Sequence, residues 1–362
     1  MSEDKKKICL IAPSLQMGGI ERAMSTLANK FAEKGYQVHY VTLLPLAHFF
    51  YLNENIKIYK PNIYFNRRMT ISEYIYFYIN LFNPFGYIRK TVKKIQPDVI
   101  LSFCEAFPIV SIALTGINIP YFISKRTSPI FKPGIINYLI NCVAFVLHRP
   151  KTSIMQTQTA AKMKEFYWGS SIVVIPNVAR EIIEYNIEKN NWILGIGRLH
   201  HEKGFDRLII SFSLLKNKDW QLVIAGSGDE LEKLKKIAIN KGVANRVHFL
   251  GRVENIDELL AKCKIFVLSS RREGFPNALC EAMAAGIPPI SFDILAGPSD
   301  IIENGKNGFL VKDGDVVELS NKIDFLIKNE AIYQMISNEA KKIKDKYSID
   351  EISQLYLNTL FN

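Results

Sequence analysis

The sequence predicts an α/β protein made of two doubly wound domains, each with a parallel sheet covered by helices on both faces. Short apolar runs of strand length alternate with longer runs of helical periodicity, which is the pattern of βαβ units. The alternation occurs twice, once on each side of Pro176-Asn177. The unusual loops all follow apolar runs, where open parallel sheets bind their ligands.

In the first series "KICLIAPS" leads to "GIERAMSTLANKFAEKG" and then "YQVHYVTLL". These read as strand, amphipathic helix and strand. "DVILSFC", "YFISKR" and "SIMQTQTAAKMKEFYW" continue the rhythm. The tract 62–95 breaks it. There Tyr, Phe and Ile recur at helical spacing, with Arg67, Arg68, Arg89, Lys90, Lys93 and Lys94 at its ends. That composition suits either an interfacial element at a membrane or a helix pair packed on the core. The second series runs "WILGIGRL", "FDRLIISFSLLKN", "WQLVIAGSG", "DELEKLKKIAINKG", "VHFLGRV", "IDELLAKC", "KIFVLSS", "NALCEAMAAG" and "PPISFD". The expected division is 1–177 for the first domain and 178–345 for the second. A final helix over 346–362 is expected to pack back on the first.

At 362 residues the chain exceeds one ordinary core and suits two domains. A hydrophobic content of 48% with 22% charged residues is that of a globular protein. Five cysteines, with no C-x-x-C pair, argue against a disulfide framework or zinc site and fit a reducing cytosol. "MSEDKKKICLIAP" reads as a solvated tail entering a strand rather than a signal peptide. The most apolar segment, 106–124, is interrupted by Pro108, Gly116, Asn118 and Pro120. It therefore reads as helix, turn and buried strand, not as a membrane span.

Charge is unevenly placed. Residues 1–177 hold 21 Lys+Arg and 9 Asp+Glu, a balance of +12, whereas the remaining 185 hold 25 and 26, a balance of −1. The first half points to an anionic partner, with nucleic acid and anionic membrane both open, or is simply a solvated basic face.

Several loops carry chemistry. Gly18 and Gly19 stand between the first strand and helix, where a phosphate could approach backbone N–H groups. A tight turn explains them equally well. In "GRLHHEKGFDRLI", Arg198 leaves a strand end and Lys203 sits at the mouth of the next helix, two fixed cations suited to a diphosphate or, alternatively, a plain surface pair. His200 and His201 are adjacent and read as loop residues. "GIGRLH" and "AGSGDE" each fail to complete G-x-G-x-x-G, which disfavours a nicotinamide enzyme. Asp313 and Asp315 form a D-x-D, but a capping box, Asp315 with Glu318, accounts for it better than a metal. "SRREGFPNALCEAMAAG" places Glu273 and Gly274 in a loop before a helix that opens near Asn277. Glu281 falls on the same helical face as Asn277, pointing back toward the loop. A carboxylate repels phosphate but accepts hydrogen bonds from vicinal hydroxyls. The spacing therefore fits a diphosphate flanked by polyhydroxyl groups, the chemistry of a nucleotide sugar. Alternatively, Glu281 complements a helix dipole and Glu273 is a solvated loop charge.

"GRLHHEKG", "VIAGSGDE", "VHFLGRVENI" and "SRREGFPNALCEAMAAGIPPI" together resemble the C-terminal domain of family-4 retaining glycosyltransferases. These have the GT-B fold, two Rossmann-like domains facing across a cleft. Glu273 and Glu281 match the family's E-x7-E motif, and "MGGIERAMSTLA" its N-terminal glycine loop. The resemblance implies that Arg198 and Lys203 hold the donor diphosphate and that Glu281 binds the ribose. It further implies that Glu273 contacts the donor sugar, with the backbone of Phe275, Pro276, Asn277 and Ala278 closing on the phosphates. Arg252 and Val253 would lie beside the base. Where many relatives carry a histidine, "YFISKRTSP" carries Arg126, as do similar enzymes of bacterial surface-polysaccharide assembly. Arg126 is therefore expected in the active site.

The resemblance also implies a metal-independent enzyme without cofactor, retaining anomeric configuration by front-face attack. The expected partners are a nucleotide-sugar donor, with UDP favoured, a lipid-linked anionic glycan acceptor and an anionic membrane surface. No nucleic acid is expected. The expected location is cytoplasmic, peripheral at the inner face of the cell membrane, in O-antigen, capsule or related polysaccharide assembly. The rivals are a two-carboxylate glycosidase, a nucleotide-sugar epimerase of similar fold and a non-catalytic basic binding protein.

Overall fold

The computed structural model describes residues 5–15, 19–46, 49–61, 82–103, 106–126, 135–163 and 170–362. Two compact units emerge, Met1–Pro176 with Ile349–Asn362, and Asn177–Ser348.

The described strands of the first unit are β1 (Lys7–Ala12), β2 (Gln37–Thr42), β3 (Lys57–Tyr59), β4 (Val99–Phe103), β5 (Tyr121–Ser124), β6 (Thr152–Met155) and β7 (Ser171–Val174). They pair in parallel in the order β3-β2-β1-β4-β5-β6-β7. β1, β4, β5 and β6 are buried along nearly their whole length, as strands covered on both faces must be. The helix Gly19–Glu33 buries Met24, Leu27, Ala28 and Phe31, one stripe at helical spacing. The segment 106–124 resolves into the helix Phe107–Leu114, a turn and β5.

Of the irregular tract, residues 62–81 lie outside the described residues. Its remainder is the helix Phe82–Ile95, which buries Ile88, Val92 and Ile95 in the core and turns Lys90, Lys93 and Lys94 to solvent. Arg89 Nη1 donates to the carbonyls of Ala113 (3.1 Å) and Thr115 (2.6 Å), tying this helix to its neighbour. In the described part, core packing wins over the interfacial alternative. The final helix, Ile349–Phe361, belongs to this unit and lies against Gly19–Glu33. Lys30 Nζ meets Asp350 Oδ1 at 2.7 Å, and the rings of Tyr36 and Phe361 stack at 5.3 Å.

The second unit contains β8 (Trp192–Ile196), β9 (Gln221–Ala225), β10 (Val247–Gly251), β11 (Ile265–Leu268), β12 (Pro289–Asp293) and β13 (Phe309–Lys312). Its parallel order is β10-β9-β8-β11-β12-β13. Counted from β8 this is 3-2-1-4-5-6, the doubly wound order whose ligand crevice opens where the strand order reverses. That point lies between β8 and β11. Phe212, Phe266 and Phe292 of this unit are completely buried. Truncating any one to alanine would cost about 3–5 kcal/mol.

Asp315 Oδ1 accepts from the Glu318 N–H at 2.9 Å and caps the helix Val316–Lys328, while Asp313 pairs with Arg207 at 2.5 Å. The D-x-D is thus a cap and an ion pair. Residues 177–190 form neither helix nor strand. They are stitched along this unit by Ala179 N–H to the Tyr347 carbonyl (2.7 Å), Ile183 N–H to Asp257 Oδ2 (3.1 Å) and Asn190 N–H to the Lys262 carbonyl (2.8 Å).

Candidate functional site

The loops that leave β8 and β11 interlock. After β8 the chain makes one 3-10 turn, His201–Lys203, then reverses at Gly204 into the helix Phe205–Ser213. Gly204 has φ +64°, and a Cβ there would meet the Ser269 carbonyl oxygen at 2.1 Å. Only glycine allows that approach. Ser269 Oγ donates to the Lys203 carbonyl at 3.0 Å. Arg271 donates both Nη groups to Asp206, at 2.7 and 2.6 Å, and its N–H to the Glu202 carbonyl at 2.7 Å. This bidentate pair fixes geometry as well as charge. Asp206 is part-buried, which by itself raises its pKa; Arg271 outweighs this and holds the carboxyl below its ordinary value.

The interlock sets Lys203 Nζ 2.7 Å from Glu273 Oε1. Ser270 Oγ donates to the same oxygen at 2.6 Å. Glu273 is buried, with only 8% of its side chain exposed, while Lys203 keeps 25%. The solvated-loop alternative for Glu273 therefore fails: its carboxylate is held at the carboxyl end of β11 by a cation and a hydroxyl.

The helix Asn277–Ala284 begins four residues later and has no side-chain cap. Its first N–H groups are largely engaged nearby, Asn277 with the Phe275 carbonyl (3.0 Å) and Leu279 with that of Pro276 (3.0 Å), and they carry the helix's positive end. Glu281 lies one turn in, and Arg180 Nε donates to its Oε1 at 3.2 Å. Arg180 Nη2 is at the same time paired with Asp257. Burial works against the Arg180 charge, but Asp257 and Glu281 outweigh it and its pKa is raised. Asn177 Nδ2 donates to Asn277 Oδ1 at 2.9 Å. The neighbouring thiol of Cys280 is buried and pushed far up, so it stays protonated at neutral pH.

The structure therefore brings Lys203, Glu273, Asn277 and Glu281 to one edge of the second unit. Arg198 stands exposed at the start of the β8 loop. Phe275 and Pro276 are buried, and the Phe275 ring lies 6.2 Å from that of Tyr347. Gly274 and Ala278, on either side of that pair in the chain, are half-buried. Arg252 and Val253 follow β10, on the same edge but two strands from β8, outside the Lys203–Glu273 cluster. Gly18 lies outside the described residues, and Gly19 opens the first long helix.

Arg126 belongs to the first unit, just beyond β5, and is buried. Its Nη2 donates to Tyr356 Oη at 2.6 Å and its Nε to Ser124 Oγ at 3.2 Å, and Ser124 and Tyr356 meet at 3.0 Å. Its guanidinium stands 5.2 Å from the Phe103 ring centroid. Arg126 thus fastens the final helix to the carboxyl edge of the sheet. Sequence reasoning missed Tyr356, along with Arg180, Asp206, Arg271 and Ser270. Arg180 stands in a stretch without helix or strand, and nothing in its sequence neighbourhood points 101 residues ahead to Glu281.

Residues 178–343 match the family model described as Glycosyl transferases group 1. A Haemophilus influenzae protein described as an uncharacterized glycosyltransferase is 29% identical over 344 residues, covering 92% of this chain and 94% of that one. The chain is a glycosyltransferase of the GT-B fold. A Campylobacter jejuni α-1,4-N-acetyl-D-galactosaminyltransferase, whose name specifies an undecaprenol-diphosphate-linked acceptor, is 28% identical over 366 residues and 98% of both chains. The Anabaena protein HepE in complex with UDP superposes with TM-score 0.75 at 19% identity, over 98% of this chain and 99% of that one. The lipopolysaccharide outer core galactosyltransferase WaaB does so with TM-score 0.77 at 20% identity, over 97% and 98%. Both units of this glycosyltransferase therefore have the Rossmann-like form.

Proposed function

We propose that this glycosyltransferase moves a hexose or N-acetylhexosamine from a UDP-sugar to a lipid-linked glycan, with retention of configuration and without a metal. The observation that carries the reading is the Lys203–Glu273 pair at the strand-order reversal, beside the uncapped helix that bears Glu281. Lys203 and Arg198 take the diphosphate, and the positive end of the helix Asn277–Ala284 supports it. Glu281, steadied by Arg180, accepts hydrogen bonds from the ribose hydroxyls. Glu273 accepts from the donor sugar. The acceptor oxygen bonds to the anomeric carbon on the face from which the diphosphate oxygen departs. Its proton passes to that oxygen, so atoms and charge balance without an enzymic nucleophile.

The first unit, with its surplus of positive charge, holds the acceptor. The undecaprenol-linked acceptor named for the Campylobacter relative supports a lipid-linked anionic glycan, as in O-antigen or capsule assembly. Such an acceptor places the enzyme at the cytoplasmic membrane face. The test is binding and hydrolysis of UDP-, GDP- and ADP-sugars without metal, with Glu281→Ala and Lys203→Ala as controls. One donor selected by the wild type and lost in both variants supports the reading; equal silence from all three proteins overturns it.

A further inference from the structure

We propose that the helix Ile135–Leu147 of the first unit docks the protein on an anionic lipid surface, seating its outer face in the bilayer interface. The proposal rests on the reading of a peripheral membrane enzyme and names the surface responsible. Leu139, Ile140, Val143, Val146 and Leu147 are exposed at 57%, 42%, 52%, 85% and 44%. Their spacing places them on one face of the helix. The other side is apolar too: Ala144 is completely buried, and the Phe145 ring packs 4.8 Å from Phe107 on the helix Phe107–Leu114. A helix on the surface of a globular protein normally turns polar residues outward. Single exposed apolar residues are ordinary, but five on one stripe form a patch that marks a contact.

The surrounding charge identifies the contact. Between Glu105 and Glu165 the chain has no acidic residue, and among the described residues Lys125, Arg149, Lys151 and Lys162 are basic and reach solvent. Arg149 and Lys151 are exposed immediately after the helix, at the end that carries Val146 and Leu147. Apolar side chains beside cations suit a surface whose acyl boundary takes the former and whose headgroups take the latter. A second copy of this chain fits poorly, because pairing through this face would set two such basic segments against each other. Thirteen residues of helix reach about 20 Å, short of the roughly 30 Å hydrocarbon core. No described helix is long and apolar enough to cross a membrane. The helix lies in the interface rather than across it.

The test is flotation of the full chain with vesicles of phosphatidylcholine alone or with phosphatidylglycerol at low salt. Wild type is compared with Val143→Glu/Val146→Glu and with the milder Val146→Ser. Wild type floats with the anionic vesicles. The double variant partitions at least ~10-fold more weakly, and Val146→Ser changes in the same direction, with melting temperature and UDP binding unaltered. If both variants float like wild type, this helix is not the docking element and the peripheral reading stands. If wild type ignores anionic vesicles, the peripheral reading falls and the inference with it. A wild-type dimer that the double variant converts to monomer, without vesicle binding, would make the face an interface between copies and overturn the proposal.

Discussion

Replacing Lys203 with methionine removes the cation 2.7 Å from a carboxylate that is 8% exposed. Glu273 then keeps only the Ser270 hydroxyl, at 2.6 Å, among the partners described here. Breaking a buried ion pair from one side costs about 3–5 kcal/mol. Because a quarter of the Lys203 side chain reaches solvent, water can partly replace it, and about 2–3 kcal/mol is expected. Glu273→Gln differs: the amide oxygen still accepts from Ser270 and Lys203, so only the charge assistance is lost, about 1 kcal/mol. Urea unfolding should therefore rank Lys203→Met well below Glu273→Gln. Transfer from the nucleotide sugar should fall at least ~100-fold in both, because the proposed mechanism needs Lys203 for the diphosphate and Glu273 for the sugar as separate requirements. Two results would refute this reasoning. One is Glu273→Gln proving the less stable variant. The other is activity that simply follows stability, with the milder variant near wild type; the pair would then be structural.

Arg180→Met should raise the donor KM about 10-fold with little change in kcat, because it frees Glu281 without touching the reacting atoms. With a 2′-deoxyribose donor the variant and wild type should converge, and a persisting gap would separate Arg180 from ribose recognition. Tyr356→Phe should destabilise the first unit by about 1–3 kcal/mol in thermal or urea unfolding, since it strips a partner from buried Arg126 and Ser124. An unchanged midpoint would show that the hydroxyl does not fasten the final helix. Burial, aided by Lys57 and Lys7, lowers the pKa of His39 below 6.5, and burial lowers that of His148. The unfolded chain takes up these protons first, so their contribution is complete above pH 6.5 and lost as pH falls through the lowered values. Urea midpoints should thus decline below pH 6.5, well above carboxylate titration, and His39→Gln should flatten part of that slope.

The two-series strand and helix pattern was legible because parallel strands buried on both faces must be continuous apolar runs. The positions of Arg198, Lys203 and Glu273 were legible as well, since they stand in segments that leave such strands, and that of Glu281 because it lies on the helix that follows. The helix Ile135–Leu147 was not. Its sequence is apolar nearly throughout, so which of its residues are covered and which are exposed can be read only from the packing. The aromatic tract drew attention instead, and its described part proved to be core-packed.

Chain-local chemistry alone determined the two sheets, the Asp315 cap and the loops able to carry a diphosphate and its sugars. Tertiary structure decided which distant groups complete them. Arg180 reaches Glu281 across 101 residues, Lys203 reaches Glu273 across 70, and Tyr356 reaches Arg126 across 230. Periodicity reports which face of an element is buried, but not which residue of another element waits there. That depends on strand order, and the order β10-β9-β8-β11-β12-β13 exists only once the chain has folded.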